Sequence, residues 1–162
     1  MKRKFKHMVG LCGGTYGSFG VGKTVAANCI SNNFMFYKCD LSLPVTESAK
    51  ILCGWNGNKD RNGLEIINRV CMGGRKKDEN YWLNIALASI PDGTENVVFD
   101  NVYFLNEFKF IQENGGKLIK IVRNDFEDPA LDFVCDDVVY NKDSVASFEK
   151  SIYNLTKTIF NI

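Results

Sequence analysis

The sequence has little of what cysteine–histidine metal centres are built from. It contains one histidine, His7, and its six cysteines include no Cys-x-x-Cys pair. A cysteine–histidine metal site is therefore not expected. A catalytic cysteine is not expected either, because it needs a basic partner and His7 is the only histidine that could act as one. The cysteines are predicted to serve as small, mostly buried apolar residues.

Long apolar runs and an excess of one charge are also missing. No apolar stretch approaches the roughly 18 residues that a membrane-spanning helix needs. The basic start, residues 1–6, is not followed by the apolar region of a secretion signal, and it favours a solvated chain end over an anion-binding arm. The net charge is +1, so no overall field favours nucleic acid or a membrane as partner. We therefore expect a cytoplasmic protein.

What the chain does have is sufficient length and an ordinary globular composition. Its 162 residues are 45% hydrophobic and 24% charged, which is typical of a chain that can bury a full core. No repeat, low-complexity segment or linker divides it. The sequence therefore predicts a single domain over residues 1–162.

One stretch, residues 17–24, carries a specific chemical signal. Its sequence, GSFGVGKT, fits the phosphate-binding pattern G-x-x-x-x-G-K-[ST] at every fixed position. Residues 7–12 before it are predicted as a buried strand, and the residues after it have helical spacing. The motif therefore has the strand–loop–helix setting of a P-loop, which predicts nucleotide binding. Residues 13–16 separate this strand from the motif, so either the strand ends early or the loop is about three residues longer than usual.

Each fixed position of the P-loop has a physical role in holding polyphosphate and its cation. Gly17, Gly20 and Gly22 are expected to let backbone amides surround the phosphates. The first turn of the following helix adds unpaired N–H groups and the positive end of its dipole. Lys23 is predicted to reach the β- and γ-phosphates, and the Thr24 hydroxyl is predicted to ligate Mg²⁺.

Strands and helices alternate along the chain, which predicts a parallel sheet with helices on both faces. Strands are expected at residues 7–12, 34–40, 96–100, 117–123 and 137–140. Helices are expected at residues 24–30, 44–53, 64–71, 81–88, 104–114 and 144–159, with a break at 72–77 where Gly73-Gly74 interrupts the spacing. Residues 44–90 thus form a largely helical insertion. The predicted fold class is α/β, a three-layer P-loop fold with roughly five strands.

The spacing of apolar residues also predicts which helix faces are buried. Residues 44–53 are expected to bury Val45, Ala49, Ile51 and Leu52, and the last helix is expected to bury Val145, Phe148, Ile152, Leu155 and Ile159. Ser144 is predicted to cap the last helix.

Two acids follow predicted strands. Asp40 ends the second strand and Asp100 the third, and the carboxyl ends of parallel strands open onto the ligand crevice. Asp40 either orients a substrate or is a helix-capping or turn residue. Asp100 is predicted to meet Mg²⁺ or its water shell, and a loop-capping role is the alternative.

Over most of its length the chain resembles the deoxynucleoside monophosphate kinases of tailed bacteriophages, a branch of the P-loop nucleoside monophosphate kinases. The resemblance rests on the order and spacing of segments with no single diagnostic member apart from the P-loop. These segments are the P-loop, residues 48–55 (SAKILCGW), Asp78 with 81–84 (YWLN), 97–99 with 106–123, and 136–141 (DDVVYN).

The resemblance implies transfer of a phosphoryl group from ATP to a deoxynucleoside monophosphate, with ATP and Mg²⁺ as cofactors. It places Trp82 beside the substrate and Asn141 beside the adenine. It implies neither nucleic acid nor membrane as a partner, and a homodimer is one assembly that the sequence leaves open. For a phage-encoded protein the compartment is the host cytoplasm.

The same resemblance assigns roles to arginines. Arg75 looks like the substrate-side arginine, which is suited to a bidentate grip on phosphate. Arg123, at the end of a strand, is the next candidate for a catalytic cation. Arg61 and Arg69 in the insertion are weaker candidates. The alternative for each of the four is an ion pair at the surface.

The chain departs from that family's pattern in one triplet. Family members commonly carry Asp-Val-Arg before Phe-x-Asn-Glu, and the matching residues here are Asn101-Val102-Tyr103. A tyrosine cannot neutralise charge that develops on a moving phosphoryl group, and a missing cation can cost several powers of ten in rate. Two hypotheses therefore stay open: an active kinase, or a catalytically impaired nucleotide-binding protein that acts through a ligand or a partner.

Overall fold

A five-stranded sheet lies at the centre of the computed structural model, which describes residues 4–14, 20–123 and 135–162. The strands are β1 (His7–Cys12), β2 (Tyr37–Asp40), β3 (Asn96–Asp100), β4 (Lys117–Val122) and β5 (Asp137–Tyr140). Their order across the sheet is β2-β3-β1-β4-β5, and every neighbouring pair is parallel. The predicted fold class is confirmed.

Six helices accompany the strands in the described part of the chain. They are α1 (Lys23–Phe34), α2 (Leu43–Cys53), α3 (Arg61–Arg75), α4 (Tyr81–Ser89), α5 (Leu105–Glu113) and α6 (Val145–Phe160). The helices α2, α3 and α4 all lie between β2 and β3, as expected for a helical insertion. Among the described residues, none of the helices has the length and apolar character needed to cross a bilayer.

The centre of the sheet is buried on both faces, which explains why β1 and β3 are almost continuous apolar runs. Neighbouring residues of a strand point to opposite faces, so Met8 and Val9 belong to different cores. One core joins Met8, Val97 and Phe99 to residues of α4 and α5, namely Leu83, Ala86, Phe108 and Ile111. The other joins Val9, Leu11 and Val98 to residues of α1 and α6, namely Ala26, Ile30, Phe148 and Ile152. These two cores create the three layers.

The predicted helix break at residues 72–77 is wrong for its first part, because α3 continues through Gly73 and Gly74 to Arg75. The two glycines differ in their surroundings. A Cβ atom on Gly74 would lie 2.6 Å from the Trp82 ring, whereas a Cβ atom on Gly73 would meet no atom within 4 Å. Gly74 therefore allows α3 to approach α4 closely, and it does not end the helix.

Some apolar residues that were expected to be buried are exposed. In α2, Val45 and Ala49 are buried, but Ile51 and Leu52 are 80% and 75% exposed. Ile51 falls outside the face that Val45 and Ala49 share, whereas Leu52 lies on that face but in the last turn of α2. Val145 is also exposed, at the first turn of α6. The predicted cap of α6 is confirmed, since the Ser144 side chain accepts a hydrogen bond from the Ser147 N–H.

The contrast between the two glycines gives a stability test. Replacing Gly74 with alanine should lower the free energy of unfolding by about 1–3 kcal/mol, because the new methyl group overlaps the Trp82 ring. The control Gly73→Ala should raise it by roughly 0.5–1 kcal/mol, because alanine lowers the entropic cost of forming the helix there. Urea unfolding of both variants measures this difference. Equal effects of the two substitutions would contradict the packing role of Gly74.

Candidate active site

The candidate site is built where the carboxyl ends of β1, β2 and β3 meet the start of α1. Asp40 and Asp100 are register partners at the ends of β2 and β3. Lys23 and Thr24 form the first turn of α1, and the Thr24 hydroxyl donates a hydrogen bond to Asp100 Oδ2 at 3.0 Å. The fold therefore brings together the three residues predicted to serve the nucleotide and its cation, Lys23, Thr24 and Asp100, and places Asp40, a predicted substrate residue, beside them.

The described part of the P-loop has the backbone that an anion site requires. Gly17 lies outside the described residues. Gly20 and Gly22 have φ angles of 93° and 109°, which favour glycine. Gly22 is the N-cap of α1, and no side chain of the described residues caps that helix. Its first amides are therefore available to a ligand.

Just before the P-loop, β1 ends at Cys12, and both Gly13 and Gly14 have positive φ angles. The irregular backbone thus begins at Gly13, several residues before the motif. Lys23 reaches back across this segment, and its Nζ atom donates to the Gly13 carbonyl at 2.6 Å. Partial burial lowers the pKa of Lys23, and the charge of nearby Asp100 opposes this effect. A ligand with several negative charges would stabilise the ammonium group.

Asp100 has the features of a ligand to a hard cation. The residue is 1% exposed, Oδ2 accepts the bond from Thr24, and Oδ1 has no hydrogen-bond partner among the described residues. Burial, and then the charge of Asp40, raise the pKa of Asp100. The described chain holds no cluster of three or more His, Cys, Asp or Glu side chains. This donor set fits Mg²⁺, which commonly binds one or two protein oxygens and takes its other ligands from phosphates and water.

Asp40 is held in place through a single oxygen. Its Oδ1 atom accepts hydrogen bonds from the Ser42 N–H at 2.9 Å, from Ser42 Oγ at 2.7 Å and from Asn101 Nδ2 at 3.1 Å. The bonds to Ser42 shape the turn before α2, which matches the alternative of a turn residue; Asp40 does not cap α2, whose N-cap is Ser42. The bond to Asn101 also fixes a residue with a φ angle of 61°, a conformation that asparagine tolerates. Both predicted roles of Asp40 stay open.

A cavity of about 180 Å³ extends from this edge of the sheet into the helical insertion. Its wall includes Gly13, Gly14 and Lys23 from the nucleotide side. From the insertion and from the segment after β3 it includes mainly apolar side chains, namely Leu41, Val45, Ile67, Trp82, Leu83, Val102 and Phe104. Its polar lining includes Ser42, Thr46, Lys59, Arg75, Asn101, Tyr103 and Glu107. The nucleotide site and the insertion thus share one cavity.

Arg75 lies in the wall of this cavity at the end of α3. Its Nη1 atom donates to the Glu79 carbonyl at 3.0 Å and to Asn106 Oδ1 at 2.9 Å. Its guanidinium carbon lies 3.9 Å from the centre of the Phe104 ring. Within the described residues no carboxylate forms an ion pair with Arg75. The alternative role as a surface ion pair therefore does not apply to Arg75.

Trp82 lies in the same wall, and its indole Nε1 donates to the Cys71 carbonyl at 2.8 Å. The ring also packs against Gly74. Trp82 therefore joins α3 to α4 and presents apolar surface to the cavity.

Sequence reasoning missed the structural roles of Asn106 and Glu107. Glu107 Oε2 accepts hydrogen bonds from the N–H groups of Tyr103 and Phe104 at 2.7 and 2.9 Å, which caps α5. Burial raises the pKa of Glu107, and these backbone donors oppose the shift. A Glu three residues after a helix start is a capping signal, but the phenylalanine at the cap position hides it.

Arg123 and Asn141 contact the P-loop from the residues that directly follow β4 and β5. Arg123 Nη1 donates to the Gly20 carbonyl at 2.7 Å, and Asn141 Nδ2 donates to the Val21 carbonyl at 2.9 Å. A Cβ atom on Gly22 would lie 2.7 Å from Asn141 Nδ2, so glycine is needed there for close contact as well as for its φ angle. Both predicted residues lie at the loop.

The two weaker arginine candidates do not line the cavity. Arg61 is almost fully exposed and pairs with Glu65 at 3.3 Å on the surface of α3, as its alternative predicts. The Nη2 atom of Arg69 lies 3.8 Å from the Sγ atom of Cys53.

Comparison with solved structures supports the fold. A gluconokinase from Sinorhizobium meliloti 1021 matches 98% of this chain and 98% of its own, with a TM-score of 0.52 and 11% identity. A dephospho-CoA kinase from Campylobacter jejuni matches 94% of this chain and 97% of its own, with a TM-score of 0.47 and 12% identity. Neither a protein-family model nor a curated protein matches the sequence. The chain therefore has a fold similar to that of the gluconokinase over nearly the whole length of both chains.

The buried carboxylate gives a pH-dependent prediction. Because the pKa of Asp100 is raised by folding, its burial destabilises the folded protein above that pKa and has no effect where the group is protonated in both states. Asp100→Asn should therefore raise the free energy of unfolding of the ligand-free protein at about pH 7. This gain should disappear at about pH 3, below the ordinary aspartate pKa. Urea unfolding at several pH values measures the difference.

Asp143→Asn, a change at an exposed aspartate, is the matched control and should show no comparable gain. Addition of Mg²⁺ and ATP should stabilise the wild type far more than Asp100→Asn, because ligands stabilise only the state that binds them. The assignment of Asp100 to the cation fails if the variant is stabilised by Mg²⁺ and ATP as strongly as the wild type.

Proposed function

We propose that the protein is a kinase that transfers the γ-phosphoryl group of ATP to a deoxynucleoside monophosphate. The observation that carries this proposal is that Lys23 and Arg75 line one cavity. Lys23 belongs to the nucleotide site, and Arg75 belongs to the insertion. Two phosphate-binding cations in one cavity are what a reaction between two phosphorylated molecules needs, since the γ-phosphate and the acceptor phosphate must be brought together.

The chemistry needs few groups beyond these. A phosphate oxygen of the acceptor attacks the γ-phosphorus, and the bond from that phosphorus to the oxygen bridging it to the β-phosphate breaks. The acceptor is a phosphate monoester and is largely ionised at neutral pH, so no general base has to remove a proton. Lys23 would stabilise the charge on the β- and γ-phosphates. Thr24 and Asp100 would hold Mg²⁺, which neutralises the charge shared by these phosphates.

The acceptor is proposed to bind in the part of the cavity within the insertion. Arg75 would contact its phosphate through guanidinium donors other than Nη1, which is already engaged. The apolar wall formed by Trp82, Leu83 and Phe104 would contact the base. The choice of a deoxynucleotide rests on the resemblance to the phage kinases. Asn141 and Arg123 would support the loop that holds ATP.

A second candidate is a nucleotide-binding protein that no longer transfers phosphate. It is favoured by Tyr103, which is 39% exposed and lines the cavity at the position of the family's arginine. A tyrosine hydroxyl can donate a hydrogen bond to phosphate but carries no positive charge at neutral pH. The two candidates agree on ATP binding and differ on turnover.

The kinase proposal is tested by incubating the protein with ATP, Mg²⁺ and each common deoxynucleoside monophosphate, and by measuring the diphosphates formed. Lys23→Ala should reduce the rate by roughly 10²–10³-fold, because it removes a cation aimed at the developing charge. Lys109→Ala changes an exposed lysine of α5 in the same way and should leave the rate unchanged. No turnover of any such monophosphate by the wild type would sink the kinase proposal.

The second candidate makes a separate prediction. Calorimetry would then show ATP binding by the wild type without turnover, and Tyr103→Arg would restore a measurable rate, since an arginine can neutralise charge on the moving group. Tyr153→Arg, a change at an exposed tyrosine of α6, is the control and should restore nothing. Turnover by the wild type would rule this candidate out.

A further inference from the structure

We infer that Asn106 is a positioning residue that fixes the guanidinium group of Arg75 in the wall of the acceptor cavity. The role of Arg75 in this inference rests on the proposed function, but the positioning itself can be measured without a substrate. Asn106 is the second residue of α5, and it is 8% exposed although asparagine is a polar residue. A buried side-chain amide needs partners for both of its ends.

Asn106 uses its two ends for different partners. Its Oδ1 atom accepts the bond from Arg75 Nη1 at 2.9 Å. Its Nδ2 atom donates to the Glu79 carbonyl at 3.0 Å and to Asn80 Oδ1 at 3.1 Å. The amide is therefore held by the segment between α3 and α4, and its oxygen can only face the arginine.

The Glu79 carbonyl connects the two side chains, because it accepts hydrogen bonds from both Arg75 Nη1 and Asn106 Nδ2. The Phe104 ring packs against the guanidinium carbon at 3.9 Å. All of these contacts are neutral acceptors or an aromatic ring. They fix the position of the guanidinium group without an ion pair, whereas a carboxylate at the place of Asn106 would form one. Glu107, which lines the same cavity, interacts with Arg75 only through its charge.

This arrangement has a consequence for phosphate recognition. An arginine that is already ordered loses less side-chain entropy when it binds an anion. The remaining donors on Nε and Nη2 stay in the fork geometry that matches a phosphate group. Asn106 does not line the cavity, so it would act on the acceptor through Arg75. Its bonds to Glu79 and Asn80 also join α5 to the segment between α3 and α4, so a test has to separate the two roles.

Side-chain nitrogen NMR of the ligand-free protein tests the positioning directly. The Arg75 signals are identified by their loss in Arg75→Lys. The two Nη nitrogens should be resolved in the wild type, since the bonds to Nη1 hinder rotation of the group. They should merge in Asn106→Ala and stay resolved in Asn154→Ala, the same exchange at an exposed position of α6. Merged signals already in the wild type, or resolved signals in Asn106→Ala, would overturn the inference.

A double-mutant cycle tests the consequence for the acceptor. Asn106→Ala should raise the KM for the deoxynucleoside monophosphate roughly tenfold or more, with little change in the KM for ATP. In an Arg75→Ala background the same change should have no further effect on the acceptor KM, because the residue it acts through is gone. A loss that persists in that background, or an equal loss for ATP, would show a merely structural role. If the wild type turns over no monophosphate, the kinase proposal fails and the NMR result decides the inference alone.

Discussion

The positive charge of Lys23 at the carboxyl edge of the sheet is the constraint on which the rest of the site depends. The ammonium group is partly buried and bonds to the carbonyl of Gly13, and burial lowers its pKa. The sheet is covered on both faces, so its strand ends are where a ligand can approach. Glycines with left-handed backbone surround this point, and the first amides of α1 face it. A polyphosphate supplies the negative charge and the acceptor atoms that this arrangement lacks.

In the proposed reaction the neighbouring side chains have two further tasks, which are to bind the metal ion and to bind the acceptor. Asp100 has a buried oxygen with no partner among the described residues, next to the Thr24 hydroxyl, which suits a hard metal ion. Arg75 lines the same cavity as Lys23 and Lys59, and its hydrogen-bond partners among the described residues are neutral. The proposed reaction thus uses two cationic side chains held by different elements, one by the sheet and α1, and one by the insertion.

The sequence was most informative where a local pattern decides the structure. The bounds of β1 and β3 agree with prediction, because a buried parallel strand is a short apolar run with clear ends. The placement of the P-loop residues and of the acids at strand ends could also be predicted, since their positions follow from motif and strand order; their roles stay predictions. The continuation of α3 through Gly74 could not be predicted, because the reason for a glycine at this position is its close contact with Trp82 of α4. Asn106 was missed for the same reason: its partners lie on another element.

A crystal structure with a non-hydrolysable ATP analogue, Mg²⁺ and a deoxynucleoside monophosphate tests the central claim most directly. The account predicts that Lys23 Nζ leaves the Gly13 carbonyl and contacts the β- and γ-phosphates, with the metal ion between these phosphates and Thr24. It also predicts the acceptor phosphate beside Arg75, facing the γ-phosphate. Nucleotide bound elsewhere, or Lys23 still bonded to Gly13 in the complex, would contradict the account.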